Sequence, residues 1–361
     1  MGLSCGLVGI LSCGKTTILN AITAAGASVY NKSEVNRAVV NVPDHRLERL
    51  VEMYHPQKMV PATLDIVDIP GLKAYSQGDE RSSKLLGSIK DVEAILHVVR
   101  CFEDSNVPFE YETIDPVRDV ETVDLELMAA DSTTLENKIK RLEKRVRAGD
   151  KEGILESGDC NKVYAAIQQG IPARKQNLST RELESVRECN LVSLKPVLYI
   201  ANIKSIDDAG NSHVAALKQI ANAEGSEIIT VCGQDEADIS QFELNERLEF
   251  LRELGLEESS MERLLHAAYI MIGLVNFFTT GEDEVRAWTC RKGDKAPVAA
   301  GKIHTDMEKG FIRMEVIHYE NLIEMGSEAA VAKAGLQRLE GRDYEVQDGD
   351  IVTVRFNAGG R

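Results

Sequence analysis

Five apolar runs in the first two thirds of the chain are as long as buried strands and shorter than typical helices. They are Leu3–Ile10, Thr63–Ile69, Ala94–Cys101, Pro196–Asn202 and Ser226–Cys232. Each is nearly continuous rather than alternating, the pattern of a parallel strand covered on both faces. Helix-favouring segments separate them, the first being Thr17–Ala25. Strands joined through helices form βαβ units, so the pattern predicts an α/β fold with a doubly covered, mostly parallel sheet.

Two stretches break this rhythm. From 124 to 194 the chain is charged and free of strand signals. Leu125, Leu127, Met128, Leu135, Ile139, Leu142 and Val146 form one helical stripe, with Glu, Lys and Arg on the other positions. Ser179-Thr180-Arg181-Glu182 has the form of a capping box that opens a further helix. The expectation is an inserted helical hairpin of coiled-coil type. Beyond Asn276, Val285–Cys290, Gly310–Val316 and Ile351–Phe356 read as short strands, Glu320–Ala334 as a helix between two of them, and Asp348-Gly349-Asp350 as a turn. Strands around one helix predict a small α+β unit of the β-grasp kind. The expected domains are therefore an α/β domain over 1–123 and 195–275, a helical insert over 124–194, and a β-grasp domain over 276–361.

Composition narrows the setting. The chain has 361 residues and a net charge of −16, which argues against non-specific coating of nucleic acid. No apolar run approaches the roughly 20 residues that span a bilayer, so no membrane partner is expected. The apolar start at Leu3 is short and lacks a basic lead-in, so it reads as a first strand rather than a secretory signal. The seven cysteines form no CxxC pair, so neither a disulfide framework nor a zinc site is indicated, and a cytoplasmic location is expected.

The chemistry lies at the end of the first strand. Gly9-Ile10-Leu11-Ser12-Cys13-Gly14-Lys15-Thr16 follows an apolar strand and opens a helix, the context of a phosphate-binding P-loop. Glycines allow backbone N–H groups to turn inward around phosphate, and the helix N-terminus adds its own unpaired N–H groups and positive dipole end. Gly9, Ser12, Cys13, Gly14, Lys15, Thr16 and Thr17 are the candidate phosphate cradle. Lys15 would neutralise the β- and γ-phosphates, and Thr16 would offer its hydroxyl to Mg²⁺. Cys13 sits near a helix N-terminus, which favours thiolate and makes a redox-sensitive loop conceivable. The alternative is a small residue that fills a loop position.

A second carboxylate is needed at a strand end, and Leu64-Asp65-Ile66-Val67-Asp68-Ile69-Pro70-Gly71 supplies it. Asp68 would hold Mg²⁺ through water, and the Gly71 N–H would sense the γ-phosphate. The next residue is Leu72, where many GTPases carry a water-orienting Gln. Base recognition is expected at Asn202 and Ile203, with Cys232 and Gly233 at the end of the last strand, and Asn202 is also expected to brace the P-loop. In Asn202-Ile203-Lys204-Ser205 the usual base-reading carboxylate is replaced by Ser205, whose hydroxyl cannot accept guanine's paired donors bidentately. Selectivity for guanine is therefore not supported.

With these residues in place the chain resembles the YchF family of Obg-related P-loop nucleotidases, the Obg-like ATPases. The matching strings run nearly end to end. They include Val67-Asp68-Ile69-Pro70-Gly71-Leu72, His97-Val98-Val99-Arg100-Cys101-Phe102-Glu103 and Lys195-Pro196-Val197-Leu198-Tyr199-Ile200-Ala201-Asn202. Near the C-terminus they include Glu284-Val285-Arg286-Ala287-Trp288-Thr289, Ala300-Gly301-Lys302-Ile303-His304-Thr305-Asp306 and Val346-Gln347-Asp348-Gly349-Asp350. The resemblance implies a G domain, an inserted coiled coil and a C-terminal TGS domain of ubiquitin-like β-grasp form. It further implies ATP preferred over GTP, Mg²⁺ dependence, K⁺ as a second candidate cofactor, and association with the ribosome.

The chain departs from the family pattern at four positions. Ser12 stands where the family has an Asn that helps hold a monovalent cation, and Ser205 where it has Glu. Lys32 falls where the first switch loop carries a Thr, and Phe109 where a His is proposed to assist hydrolysis. The cradle and Asp68 remain. Two functions stay open: a slow Mg²⁺-dependent ATPase switch, and a nucleotide-gated ribosome- or RNA-binding module with negligible turnover. A GTPase is a third reading. RNA contact is expected through two basic groups, Lys138, Lys140, Arg141, Lys144, Arg145 and Arg147 on the insert, and Arg286, Arg291, Lys292, Lys295, Lys302, Lys309 and Arg313 near the C-terminal strands. For the first group a solvated helix face is the favoured alternative.

Overall fold

The computed structural model describes residues 3–25, 29–32, 36–70, 87–107, 111–233, 235–236 and 258–357. Gly71, Leu72 and Phe109 lie outside the described residues. In chain order the elements begin with β1 (Ser4–Val8), α1 (Lys15–Ala25), β2 (Val29–Lys32), β3 (Asn36–Val42), α2 (His45–Tyr54), β4 (Lys58–Val60), β5 (Ala62–Asp68) and β6 (Ala94–Arg100). Next come α3 (Pro116–Arg147), α4 (Lys151–Gln168), α5 (Thr180–Val186), β7 (Val197–Ile203), α6 (Ser212–Glu224), β8 (Ile228–Cys232) and α7 (Ser260–Met271). The chain continues with β9 (Leu274–Thr279), β10 (Glu284–Arg291), α8 (Ala296–Ile303), α9 (Thr305–Lys309) and β11 (Phe311–His318). It ends with α10 (Tyr319–Met325), α11 (Glu328–Lys333), β12 (Arg338–Glu340) and β13 (Asp350–Phe356). By mutual contact they fall into two compact units, Met1–Val39 with Asp65–Leu264, and Val40–Leu64 with Leu265–Arg361.

The first unit is built on a seven-stranded sheet in the order β2-β3-β5-β1-β6-β7-β8. From β5 to β8 every pairing is parallel, with Cys5 opposite both Ile66 and Ala94, Val98 opposite Ile200, and Ala201 opposite Thr230. All residues of β1, β6 and β7 are buried, which is why these runs are apolar without alternation. The far edge is a short antiparallel hairpin in which Val29 faces Val39 and Lys32 faces Asn36. The polar Tyr30-Asn31-Lys32 segment gave no strand signal, and Lys32, expected in a switch loop, lies in this edge strand.

The expected helical hairpin is present. Helix α3 spans 32 residues, about 48 Å at 1.5 Å per residue. The Asp115 carboxylate caps it by accepting from the N–H groups of Val117 and Arg118, Pro116 opens it, and Lys144, Arg145 and Arg147 occupy its last turn, where cations suit the helix dipole. Three side-chain contacts fix its register against α4. The Tyr164 hydroxyl donates to Glu136 at 2.5 Å, the Gln168 amide donates to Ser132 at 2.8 Å, and Arg145 donates to Glu156 at 2.9 Å. One number rises as the other falls, so the two helices run antiparallel. Between them lies a separate apolar core that includes Met128, Leu135, Leu142, Cys160, Val163, Ile167 and Cys189. The capping box at Ser179 and Glu182 opens α5 as expected.

The second unit carries a six-stranded sheet in the order β12-β11-β13-β9-β10-β4. Its core includes Phe277, Cys290, Ala296, Ala299, Met314, Val316 and Val352. The helix expected over Glu320–Ala334 is two helices. Gly326 takes φ +74° and ends α10, and the Ser327 hydroxyl accepts from Ala330 N to start α11. A left-handed glycine followed by a capping serine is a stop and a restart, and it outweighs the helix-favouring residues around it. Helix α2 and strand β4 also belong to this unit, with Met59 of β4 paired to Val285 of β10.

Candidate nucleotide-binding site

The site forms at the C-terminal ends of the central strands. Strand β1 delivers the chain to Gly9, which packs so closely that a Cβ there would sit 2.5 Å from the Val98 carbonyl oxygen and 2.7 Å from Cys13 Sγ. Ser12 then takes φ +61° and Gly14 φ +97°, turning the loop into the first turn of α1. A left-handed conformation is costly for most L-residues and free for glycine, so Gly14 is required by geometry. A Cβ at Gly14 would lie 2.1 Å from Asn202 Nδ2. That amide donates to the Cys13 carbonyl at 2.9 Å. Asn202 thus braces the phosphate loop, as its place in the base motif predicts.

The Lys15 ammonium is buried and donates to the Gly9 carbonyl at 3.0 Å and the Ile10 carbonyl at 3.1 Å. It is folded back across the loop whose N–H groups it would serve. Thr16 is exposed in the first turn of α1, and Thr17 is half-buried. Asp68 ends β5 directly beside Leu7 of β1, and Ile69 N donates to the Leu7 carbonyl, so the carboxylate sits one strand away from the loop. A hydroxyl and a carboxylate are hard oxygen donors of the kind Mg²⁺ takes, so the donor set present fits that ion.

On the base side, Ile203 pairs with Cys232, and the Cys232 thiol donates to the Lys204 carbonyl at 3.1 Å. Gly233 faces the start of α1, where a Cβ would meet Thr17 and Ile18 at 3.1 and 3.2 Å. Ser205 is turned inward to its own chain, accepting from the Asp207 N–H as the cap of a short helix at 206–210.

For Cys13 the structure decides between the two readings in favour of a residue that fills the loop. Its side chain is fully buried, and burial pushes the thiol pKa up even though Lys15 pulls it down. Desolvation disfavours the thiolate more than the helix N-terminus favours it. Cys13 is packing for the loop.

Two contacts at the site had no sequence signal assigned to them. Arg100, at the end of β6, is almost fully buried and donates to the carbonyls of Phe102 and Asp104 at 3.1 Å, fixing the loop that follows. Lys204 of the base segment pairs with Asp104 at 3.1 Å and ties the two loops together. An arginine at the end of an otherwise apolar strand was the available clue. In the insert's basic group, Lys138 is buried against Glu156 and the Ser185 carbonyl, and Arg145 and Arg147 pair with nearby acids. That leaves Lys140, Arg141 and Lys144 without an acidic partner among the described residues.

A parallel sheet with a glycine-bounded loop, a buried lysine and a bracing asparagine defines the class of P-loop nucleotide-binding proteins. A family model described as 50S ribosome-binding GTPase matches residues 4–146, and one described as YchF-GTPase_C, protein of unknown function, matches residues 274–357. The chain belongs to the YchF family. It is 42% identical to the Ribosome-binding ATPase YchF of Bacillus subtilis, over 99% of this chain and the whole of that protein. Identity to the protein of the same name from Escherichia coli O157:H7 is 41%, with the same coverage. The YchF GTPase structure of Schizosaccharomyces pombe superposes with a TM-score of 0.86 at 32% identity, covering 98% of each chain.

Proposed function

We propose that this protein is a Mg²⁺-dependent purine-nucleotide switch that binds and slowly hydrolyses ATP and acts on the ribosome. One observation carries the nucleotide reading: the Gly9–Lys15 loop is held open by backbone geometry and by the Asn202 brace, with Lys15 at its centre. The ATPase and ribosome parts rest on full-length relatives named Ribosome-binding ATPase YchF. Preference for ATP over GTP is supported by Ser205, whose hydroxyl is committed to capping and offers no carboxylate to guanine.

In the proposed roles, Lys15 neutralises phosphate charge, Thr16 and Asp68 hold Mg²⁺, and Gly71 reports the γ-phosphate. The bound Mg²⁺ supplies charge neutralisation across the phosphates. The cradle residues Gly9, Ser12, Cys13, Gly14 and Thr17 align the tail, while Asn202, Ile203, Cys232 and Gly233 border the base. Positioning and electrostatics give some turnover without a dedicated base. The domain reading, with a G domain, the insert at 124–194 and a TGS domain from 276, accompanies this proposal, as does a cytoplasmic site of action. Ser12 in place of an Asn removes one ligand from a K⁺ site and predicts weak K⁺ stimulation.

The test is single-turnover hydrolysis of ATP and GTP with Mg²⁺, with and without K⁺, beside equilibrium binding of ATP, ADP, GTP and GDP. Measurable, slow, ATP-selective turnover supports the proposal. Tight ATP binding with no turnover favours the gated binding module, for which Ser12 at a family Asn position is the specific observation. Failure to bind any purine nucleotide at millimolar concentration overturns both.

Ribosome association is tested by co-sedimentation across a salt series. Phosphate contacts through Lys140, Arg141 and Lys144 or through the C-terminal cations require binding to weaken steeply with salt. Salt-independent binding rejects RNA contact.

A further inference from the structure

The second unit contains a cleft of about 770 Å³, within the size range of small-molecule sites. Its floor is fixed by a closed set of polar contacts. Asp348 accepts from Arg46 Nη1 at 2.7 Å and from the Asn276 N–H at 2.9 Å. The Tyr269 hydroxyl donates to Asn276 Oδ1 at 2.5 Å, and Asn276 Nδ2 donates to Asp44 at 3.0 Å. At the far end Arg338 is taken by Glu340 and Asp350. Each of the two arginines is held between two carboxylates, Arg46 by Asp44 and Asp348 and Arg338 by Glu340 and Asp350, so neither guanidinium is free for a ligand.

The capacity that remains is mostly for donation. Lys292, His266, His318 and Asn321 line the cleft, and none of their side chains makes a hydrogen bond or ion pair to another described residue. Glu345, exposed at the rim, is the one lining carboxylate outside the floor contacts. Gly349, at φ +88°, lets two donors approach the same turn, since a Cβ there would meet Arg46 Nη1 at 3.2 Å and His318 Nε2 at 3.7 Å. Beside these donors stands Ile270, 68% exposed, the most exposed large apolar side chain among the described residues. Ile270 offers an apolar contact beside one spare ammonium and two imidazoles, an arrangement that suits an occupant with an apolar body and an oxyanion at one end.

We propose that this cleft binds a small organic oxyanion, a phosphate monoester or a carboxylate of about mononucleotide size, with Lys292 as its charge partner and Ile270 against its body. The proposal is independent of nucleotide at the P-loop, which lies in the other unit.

The full chain carrying Lys15→Ala, which removes the phosphate loop as a competing site, is labelled at histidine. The signals of His266 and His318 are assigned through His266→Gln and His318→Gln. AMP, pyrophosphate and citrate are each titrated to about 10 mM, a range that reveals sites of millimolar affinity. The expected result is a saturable shift of those two signals with at least one probe, and at least a tenfold loss of affinity in Lys292→Glu. Asn321→Asp, which adds a carboxylate without touching the floor, is expected to weaken binding too. Response to AMP and pyrophosphate assigns the ligand as a phosphate, and response to citrate assigns a carboxylate. No saturable shift with any probe overturns the proposal, as does unchanged affinity in a folded Lys292→Glu.

Discussion

Gly14 is the residue on which the phosphate loop turns. Its φ of +97° and the 2.1 Å approach of Asn202 Nδ2 leave no room for a methyl group. Gly14→Ala is therefore expected to cost at least ~100-fold in nucleotide affinity, about 2.7 kcal/mol. Asn202→Ala, which removes the brace together with the side chain that borders the base, should cost about tenfold. Calorimetric titration with Mg-ATP measures both, and equal affinity in wild type and Gly14→Ala contradicts the geometry. His97, on β6, gives a second prediction. Burial, with Arg174 adding to it, lowers its pKa to about 3. The unfolded chain takes up the proton near pH 6.5, so below that pH it binds more protons than the folded chain. Stability must then fall as pH falls from 6.5 toward 3. Between pH 6.5 and 5 the loss is about 2 kcal/mol, from ~1.4 kcal/mol per unit. Urea denaturation followed by circular dichroism should show this slope, and His97→Gln should flatten it.

At the scale of elements, the insert is pinned to the sheet by buried charge. Arg174, after α4, donates to both oxygens of Asp124 on α3 at 2.7 and 2.8 Å and to Glu224 of α6 at 3.2 Å. The Tyr199 hydroxyl of β7 donates to the same Glu224 at 3.0 Å. Asp131 of α3 is fully buried and accepts from the N–H groups of Val192 and Ser193, each at 2.8 Å. Asp131→Ala orphans two buried donors and should destabilise by about 2–4 kcal/mol, while Asp131→Asn, which keeps one acceptor, should lose less. Equal losses in the two variants would show that the carboxylate is not holding that segment. These ties were invisible in the sequence, because Asp124 and Asp131 read there as ordinary polar positions of an amphipathic helix. The strands and the hairpin were legible, because complete burial makes a strand continuously apolar and half burial makes a helix striped. The edge strand β2 and the break at Gly326 were not, because one is polar and the other depends on a single dihedral angle.

At the scale of the whole molecule, nucleotide binding and folding are linked. A ligand at 100 times its Kd stabilises the state that binds it by about 2.7 kcal/mol. Mg-ATP should raise the melting temperature of the protein, and Lys15→Ala should remove that rise. A rise that persists in Lys15→Ala would place the nucleotide elsewhere. Two sheets in two units make separate transitions observable. Trp288, the single tryptophan, lies in β10 and reports on the second unit.

The sequence by itself determined the phosphate loop, the parallel sheet and the helical hairpin. Those features follow from local spacing: glycines at a strand end, unbroken apolar runs, and a 3.6-residue stripe. Tertiary structure alone decided that Arg100 fixes the loop after β6 and that Arg174 ties α3 to α6. It also decided that Cys13 is desolvated rather than activated, and that α2 packs with the C-terminal sheet. Such outcomes depend on which distant groups share a buried volume, and desolvation there outweighs whatever the neighbouring residues in the chain would favour.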